Sequence, residues 1–179
     1  VEYLPDDARM AEMKLQGQAL SRPELAVLTA YSKLELFDEI VASAAPDDAF
    51  FKQTLVRYFP APVSKFEADM QRHRLRREII STILSNEIVN MCGATFPERL
   101  RHSAQCDTGA MTIAFEAARQ VFRLDEAWDA VSALDGKIPA AGQMALYRRL
   151  AYTLRGETLW LARRAARSAG PARIRSQRP

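Results

Sequence analysis

Two cysteines and two histidines are the side chains of this sequence with the widest chemical range. Cys92, His102 and Cys106 follow one another at spacings of ten and four residues. A structural zinc site usually takes four ligands in close pairs such as Cys-x2-Cys, and no fourth ligand lies near these three. The spacing therefore disfavours a metal site. Two cysteines are also too few for a disulfide framework and fit a reducing cytoplasm.

Catalysis by a Ser-His-Asp or Cys-His arrangement needs an available histidine. His73 stands between Arg72 and Arg74, whose positive charges oppose its protonation, and no motif marks it or His102 as a base. The seven glycines stand too far apart to form either phosphate-cradling loop. We therefore predict no catalytic, cofactor-binding or metal-binding residue in this chain.

The densest charge cluster lies where a core helix is predicted to begin. Cations in a first helical turn oppose the helix dipole, so some partner should offset them. One interpretation is a salt network within the domain, with Glu67, Asp69 and Glu78 as local partners. Another is docking onto an acidic surface of the same chain or a neighbouring subunit; nucleic acid is disfavoured because no aromatic residues are interleaved. We call this candidate interface the arginine cluster: Arg72, His73, Arg74, Arg76 and Arg77.

Two asparagines complete the candidate interface. Asn86 and Asn90 continue the helix face that Ile79 and Ile83 begin. A buried amide without a partner costs about 1–3 kcal/mol. We therefore expect either a polar network inside the domain that fixes helix register, or a bridge to another domain.

Helical periodicity dominates the elements that position these residues. Ser21-Arg22-Pro23-Glu24 is a capping box with proline in the first turn, and Val27, Tyr31, Leu34, Phe37 and Val41 then recur at helical spacing. Thr95-Phe96-Pro97-Glu98 repeats the capping pattern, with Gly93 as the left-handed stop of the preceding helix. Further helices are predicted over residues 6–16, from 47 or 48 to 59, around 66–70, and over 75–91, 108–122, 125–134 and 139–168.

These patterns predict an all-α protein, a single multi-helix bundle with a long carboxyl-terminal helix. Residues 1–168 would form one helical accessory domain and residues 169–179 a disordered basic tail. No apolar stretch reaches the roughly 20 residues that span a bilayer, so we expect no membrane association. The net charge of +3 comes from the last stretch, where six arginines follow Glu157 without an acid: Arg163, Arg164, Arg167, Arg173, Arg175 and Arg178.

Several strings together resemble one family. They are LPDD at 4–7, LSRPELAVLTAYSK at 20–33, RYFP at 57–60, HRLRREII at 73–80, NEIVN at 86–90, GATF at 93–96 and LDGKIPA at 134–140. In this order they are similar to the carboxyl-terminal segment of the large bacterial NAD-specific glutamate dehydrogenases. The resemblance covers about residues 1–164 and leaves the arginine-rich end unmatched.

The resemblance implies a fragment of a longer cytoplasmic enzyme that deaminates L-glutamate to 2-oxoglutarate and ammonia with NAD. That family's catalytic and NAD-binding residues lie upstream, so the fragment would be inactive, would hold no cofactor and would have a structural or assembly role. Its expected partners are the catalytic domain of the same chain and the neighbouring subunits of a homo-oligomer. The alternative is a free-standing helical module whose arginine-rich surface binds nucleic acid or an acidic partner.

Overall fold

The structure, a computed structural model, describes residues 4–168 apart from the side chain of Ser64. No strand occurs among these residues, and the all-α prediction is confirmed. The helices are α1 Asp7–Leu15, α2 Arg22–Ala42, α3 Lys52–Tyr58, α4 Glu67–Gln71, α5 Arg76–Cys92, α6 Phe96–Ala104, α7 Thr108–Val121, α8 Leu124–Ser132 and α9 Ala140–Ser168. Short 3-10 turns cover Ala45–Asp47, Ala49–Phe51 and Ala61–Phe66. The tail prediction lies outside the described residues.

α5 lies at the centre of the bundle and packs against α2, α3, α6 and α9. α7 packs along α9, which is the long carboxyl-terminal helix that the sequence predicts. Apolar side chains from α2, α3, α5, α7 and α9 meet in one core, whose fully buried members include Ile40, Leu55, Leu84, Ile88, Met111, Phe115 and Leu154. Burying such side chains is the main favourable term of folding, so this core fixes how the helices are arranged.

The apolar residues that recur at helical spacing in α2 are not its most buried residues. Its buried residues are Leu36 and Ile40, whereas Tyr31 is 51% exposed and Leu34 is 60% exposed. Both buried residues lie in the second half of the helix, which runs beside α5, and the helix phase follows this contact. Periodicity alone does not identify the buried face of α2, because the helix carries exposed apolar side chains as far as Leu34.

Helix caps follow the sequence at two of the three predicted positions. Ser21 accepts a hydrogen bond from the Glu24 amide while the Glu24 carboxylate accepts one from the Ser21 amide, so the capping box is confirmed. Gly93 ends α5 with φ +91°, as predicted. The box at Thr95 is wrong: this residue has helical backbone angles, which hold its side chain away from the free amides, and it makes no cap bond.

A matched pair of substitutions tests this difference between the two predicted caps. We expect Ser21→Ala to destabilise the first turn of α2 by about 1 kcal/mol and Thr95→Ala to leave α6 unchanged. Amide hydrogen exchange in the two first turns measures both, with about fivefold faster exchange expected after Ser21→Ala. Equal acceleration in the two helices would contradict the assignment of a cap to Ser21 alone.

Candidate functional site

The arginine cluster fastens the start of α5 to the end of α2. Arg76 and Arg77 both bind the Asp47 carboxylate in the 3-10 turn that follows α2. Arg77 also donates through Nη2 to the carbonyls of Val41 and Ser43, at 2.5 and 2.9 Å. These carbonyls belong to the helix end, where no intrahelical amide is available to them. The arginines thus offset their unfavourable position with a carboxylate and free carbonyls from another element.

The predicted salt network exists with one of its three predicted partners, Asp69, and with Asp47, which the sequence did not indicate. Of the three local acids, only Asp69 pairs with the cluster, at 2.7 Å from Arg72 Nη2. The Glu78 carboxylate makes no ion pair within the described chain, and its Oε2 atom is buried without a hydrogen bond. Asp47 lies 29 residues before Arg76, too far along the chain for helix periodicity to connect them.

The other members of the cluster face solvent. Leu75 donates its backbone N–H to Nδ1 of His73 at 3.1 Å, and the His73 ring lies 6.1 Å from that of Phe59. Arg72 and Arg74 are exposed. Contact of these residues with another domain or subunit stays a prediction.

The two asparagines make no network between helices. Asn86 donates through Nδ2 to the carbonyl of Thr82 in its own helix, at 2.8 Å, and Asn90 is exposed. The prediction of an internal register-fixing network is therefore wrong for these two residues. The neighbouring position, Glu87, is the one that faces α7 and joins the buried polar cluster of the domain.

That buried cluster centres on Arg119 of α7, which is only 4% exposed. Its Nη1 pairs with Glu87 of α5 and lies 3.1 Å from Glu116 Oε2, while Nη2 lies 2.8 and 3.0 Å from the two oxygens of Asp125 in α8. Arg57 of α3 reaches Glu116 and Asp125 at 3.4 and 3.3 Å. We call these five residues the Arg119 cluster; they join four helices.

Burial and charge act in opposite directions within this cluster. Burial raises the pKa of Glu87, although Arg119 opposes the rise. Burial also opposes the charge on Arg119, but Glu87, Glu116 and Asp125 outweigh it and raise the pKa of the guanidinium. Arg119 therefore keeps its charge throughout the physiological range and opposes the protonation of Glu87 that burial favours.

Sequence reasoning missed the Arg119 cluster, although a signal was present. Glu116 and Arg119 stand three residues apart in α7, in a segment whose neighbours are alanine, phenylalanine and methionine. Charges at such spacing on an apolar helix face indicate a buried pair, because an unpaired buried charge is costly. The contributions of α3, α5 and α8 come from distant parts of the chain and leave no local signal.

A second ionic junction holds α2, α6 and α7 together. Arg101 of α6 donates through Nη1 to Glu39 at 2.6 Å and to the Thr108 hydroxyl at 2.8 Å. Its Nη2 donates to Glu98 one turn earlier. Glu39 also accepts from the Thr108 hydroxyl at 3.1 Å, so Arg101, Glu39 and Thr108 are each hydrogen-bonded to the other two.

A surface cavity of about 530 Å³ lies beside this junction, between the end of α2 and the start of α7. Its carboxylates are already engaged: Asp48 accepts from the Phe50 amide and Asp107 accepts from the Ala110 amide, both at 2.8 Å. Glu39 is held by Arg101. The cavity thus presents capped helix ends and acidic groups rather than a free acid, base or nucleophile.

The cysteines and histidines are dispersed. Across residues 4–168, no three His, Cys, Asp or Glu side chains are grouped as metal ligands would be. Both cysteines are free, with Cys92 buried in α5 and Cys106 partly exposed after α6. Burial raises the pKa of the Cys92 thiol to about 12 and raises that of Cys106 less.

This difference predicts the order in which the thiols react. At pH 8 a thiol with a pKa of about 12 is thiolate in only ~10⁻⁴ of molecules, and Cys92 is also sterically shielded. We expect iodoacetamide to modify Cys106 first and Cys92 only after unfolding, which peptide mass spectrometry can follow. Faster modification of Cys92 in the folded protein would contradict the packing of α5.

None of the helices described between residues 4 and 168 combines the length and the apolar character that crossing a membrane requires. The charged side chains of the bundle instead hold helix to helix, in the Arg119 cluster, at Asp47 and at Arg101.

Comparison with known proteins places this architecture in a family. A family model described as "Glutamate dehydrogenase, C-terminal" matches residues 17–176, most of the chain. Its match continues beyond the described residues into the arginine-rich end. No solved structure matches the chain.

Relatives with curated names agree with the family model. The chain is 38% identical over 164 residues to the NAD-specific glutamate dehydrogenase of Pseudomonas aeruginosa and 34% identical over 164 residues to that of Halomonas elongata. Each match covers 91% of this chain but 10% of the relative. The enzyme of the same name from Mycobacterium tuberculosis is 31% identical over 150 residues, covering 83% of this chain and 9% of the relative. The chain thus spans about a tenth of the length of these relatives.

Proposed function

The chain belongs to the glutamate dehydrogenase carboxyl-terminal family, and from this membership we propose that it is a non-catalytic helical domain of an NAD-specific glutamate dehydrogenase. The whole enzyme would oxidatively deaminate L-glutamate to 2-oxoglutarate and ammonia in the cytoplasm. Within it, this domain would have a structural or assembly role, packing against the catalytic domain and neighbouring subunits of a homo-oligomer.

The structural role is supported by the contacts of the charged side chains, which bind residues of other helices. The most buried charged groups, Arg119 and Glu116, bind each other and reach three further helices. Arg77 and Arg101 likewise bind residues of other elements. Such groups fix helix positions; they are not left free to exchange protons with a substrate.

The cavity between the end of α2 and the start of α7 does not fit NAD. Helix amino termini can bind a pyrophosphate through free amides, but the start of α7 is already capped by the Asp107 carboxylate. Glu39 and Asp48 line the same cavity, and their negative charges would repel a pyrophosphate. We therefore assign NAD binding to the polypeptide outside this domain and derive no chemical step here.

Exposed apolar side chains on α1 and α2 support docking. Leu15 of α1 is 89% exposed, and Leu25, Tyr31 and Leu34 of α2 are each at least half exposed. Single exposed apolar residues are ordinary, but several on two consecutive helices are typical of a surface that another domain covers. The beginning of α2 would then contact the catalytic domain or a neighbouring subunit.

The proposed function is tested with the purified 179-residue chain and the full-length dehydrogenase that carries it. We expect the chain alone to show a helical circular dichroism spectrum and no glutamate-dependent formation of NADH. In the full-length enzyme, deletion of this domain should disrupt assembly and lower activity. Turnover by the purified chain would refute the non-catalytic role, and a deletion that leaves oligomer and activity unchanged would refute the assembly role.

A further inference from the structure

The outer side of α9 differs from every other charged surface in the described chain. Most arginines before α9 lie within 4.0 Å of a carboxylate; Arg22, Arg74 and Arg99 are the exceptions. α9 carries six exposed arginines, and in residues 4–168 none of them makes an ion pair: Arg148, Arg149, Arg155, Arg163, Arg164 and Arg167. Positive charge is thus concentrated, uncompensated, on one helix.

Part of this charge forms a continuous stripe opposite the core. At about 100° per residue, steps of three and four residues keep side chains on one face of a helix. The backbone positions of the stripe lie opposite the buried face that Ala151, Leu154, Thr158 and Ala162 form, although Arg163 also donates through Nε to the Ser103 carbonyl of α6 at 3.2 Å. We call this stripe the outer stripe: Arg149, Tyr152, Gly156, Trp160, Arg163 and Arg167, all exposed.

The centre of the outer stripe is a notch between two aromatic residues. Tyr152 is 79% exposed and Trp160 is 50% exposed, one turn to either side of Gly156. A Cβ atom added at Gly156 would meet nothing within 4 Å, so packing inside the domain does not require glycine there. A mid-helix glycine costs about 1 kcal/mol relative to alanine. The absence of a side chain makes sense if another backbone approaches the helix at this point.

The positive charge of the outer stripe indicates which kind of partner can bind there. In a symmetric antiparallel pair of α9 helices crossing at Gly156, Arg149 of each copy would face Arg163 of the other, and a parallel pair would oppose identical arginines. Both arrangements of a second copy bring like charges together. An acidic partner instead matches both ends of the stripe, and arginine, tyrosine and tryptophan are the residues enriched at the energetic centres of protein interfaces.

The aromatic geometry favours a protein over a nucleic acid. The Arg164 guanidinium lies 5.6 Å from the centre of the Trp160 ring and already covers one face of the indole. Stacking of successive bases needs free aromatic faces. A helix needs only the exposed edges and the notch over Gly156, into which an apolar side chain fits.

We propose that the outer stripe of α9 seats an acidic amphipathic helix from the part of the dehydrogenase polypeptide outside this domain. The curated relatives are about ten times longer than the matched segment, so such a chain has ample polypeptide to supply the helix. The inference rests on the proposed function and adds to it the surface and the chemistry of its partner. Carboxylates would flank an apolar residue that enters the notch between Tyr152 and Trp160.

The test compares alkylation of a reporter cysteine in the full-length dehydrogenase and in the purified 179-residue chain. Thr153→Cys places the reporter at the edge of the outer stripe, and Met144→Cys places a matched control at an exposed position of the same helix, about 120° round from Gly156. We expect a charged maleimide to label the Thr153→Cys site at least about tenfold more slowly in the full-length enzyme, with little difference at the Met144→Cys site. Adding Arg149→Glu and Arg163→Glu should remove this protection.

The remaining outcomes separate the possible occupants. Protection that disappears after nuclease treatment, or that appears in the purified chain as it dimerises, would overturn the inference in favour of nucleic acid or a second copy. Equal labelling in an active full-length enzyme would overturn the inference and leave the proposed function standing. A full-length chain without glutamate-dependent NADH formation would overturn the proposed function itself.

Discussion

Replacing Arg119 by methionine should lower the free energy of unfolding by about 3–5 kcal/mol, because the buried Glu116 and the partly buried Glu87 would lose their nearest counter-charge. Glu116 is 1% exposed, so water cannot solvate its carboxylate in place of Arg119. Methionine keeps much of the volume of the arginine stem, so the loss is mainly electrostatic rather than a cavity. Urea denaturation of the purified chain at pH 7 measures the effect.

The pH dependence distinguishes this electrostatic cause from poor packing. Burial already raises the pKa of Glu87, and Arg119 is the group that opposes this rise. Without Arg119 the folded state takes up protons at higher pH than the unfolded state does. The loss in free energy of unfolding that Arg119→Met causes should therefore become smaller as pH falls towards 5. A stability loss that does not change with pH would contradict the electrostatic cause.

Two control variants bracket the Arg119→Met result. Arg72→Met removes an arginine that is 75% exposed and pairs only with Asp69, so it should cost less than about 1 kcal/mol. Combining Glu116→Gln with Arg119→Met should recover part of the loss, because one uncompensated charge is removed with its partner. Additive losses in the double variant would show that the two side chains do not act as a pair.

Leu36→Ala should lower the free energy of unfolding by about 2–5 kcal/mol, because it leaves a cavity between α2 and α5. Leu36 is 2% exposed and belongs to the main core. Leu34→Ala is the matched control, since it removes the same atoms from the same helix at a position that is 60% exposed. We expect that control to cost within about 0.5 kcal/mol in the purified chain.

This pair decides which face of α2 is inside. Thermal and urea unfolding of both variants, read by circular dichroism, give the comparison directly. Equal destabilisation, or a larger loss for Leu34→Ala, would restore the face that hydrophobic periodicity predicts. If Leu34→Ala instead weakens only the assembled full-length enzyme, the exposed face of α2 is an interface.

Local sequence information was sufficient for the helices themselves. Proline and serine at the start of α2, glycine at the end of α5 and proline before α9 act on their own backbone or their own helix turn, so their effect can be read without knowing the fold. The same reasoning failed at Thr95 because a cap also requires an extended backbone at that residue, which its neighbours in space decide.

The family, too, was accessible from the sequence, because several short strings occur in the order that the family has. The partners of the charged side chains could not be predicted from the sequence. Arg76 and Arg77 gave a correct expectation that counter-charges must exist, since cations at a helix start are unfavourable. Their partner Asp47 became identifiable only when α2 and α5 were placed side by side.

The amino-acid sequence alone was enough to predict an all-helical chain, most of its helix boundaries and its relationship to glutamate dehydrogenases. The helix predicted from residue 47 or 48 begins as α3 only at Lys52, after two 3-10 turns. Tertiary structure decided which apolar face of α2 is buried, where the Arg119 cluster forms and that the outer stripe of α9 stays uncovered within residues 4–168. The difference arises from how far apart along the sequence the interacting residues lie. Capping and helix periodicity act over three or four residues, whereas burial and ion pairing depend on segments that are distant in sequence and meet only when the chain folds.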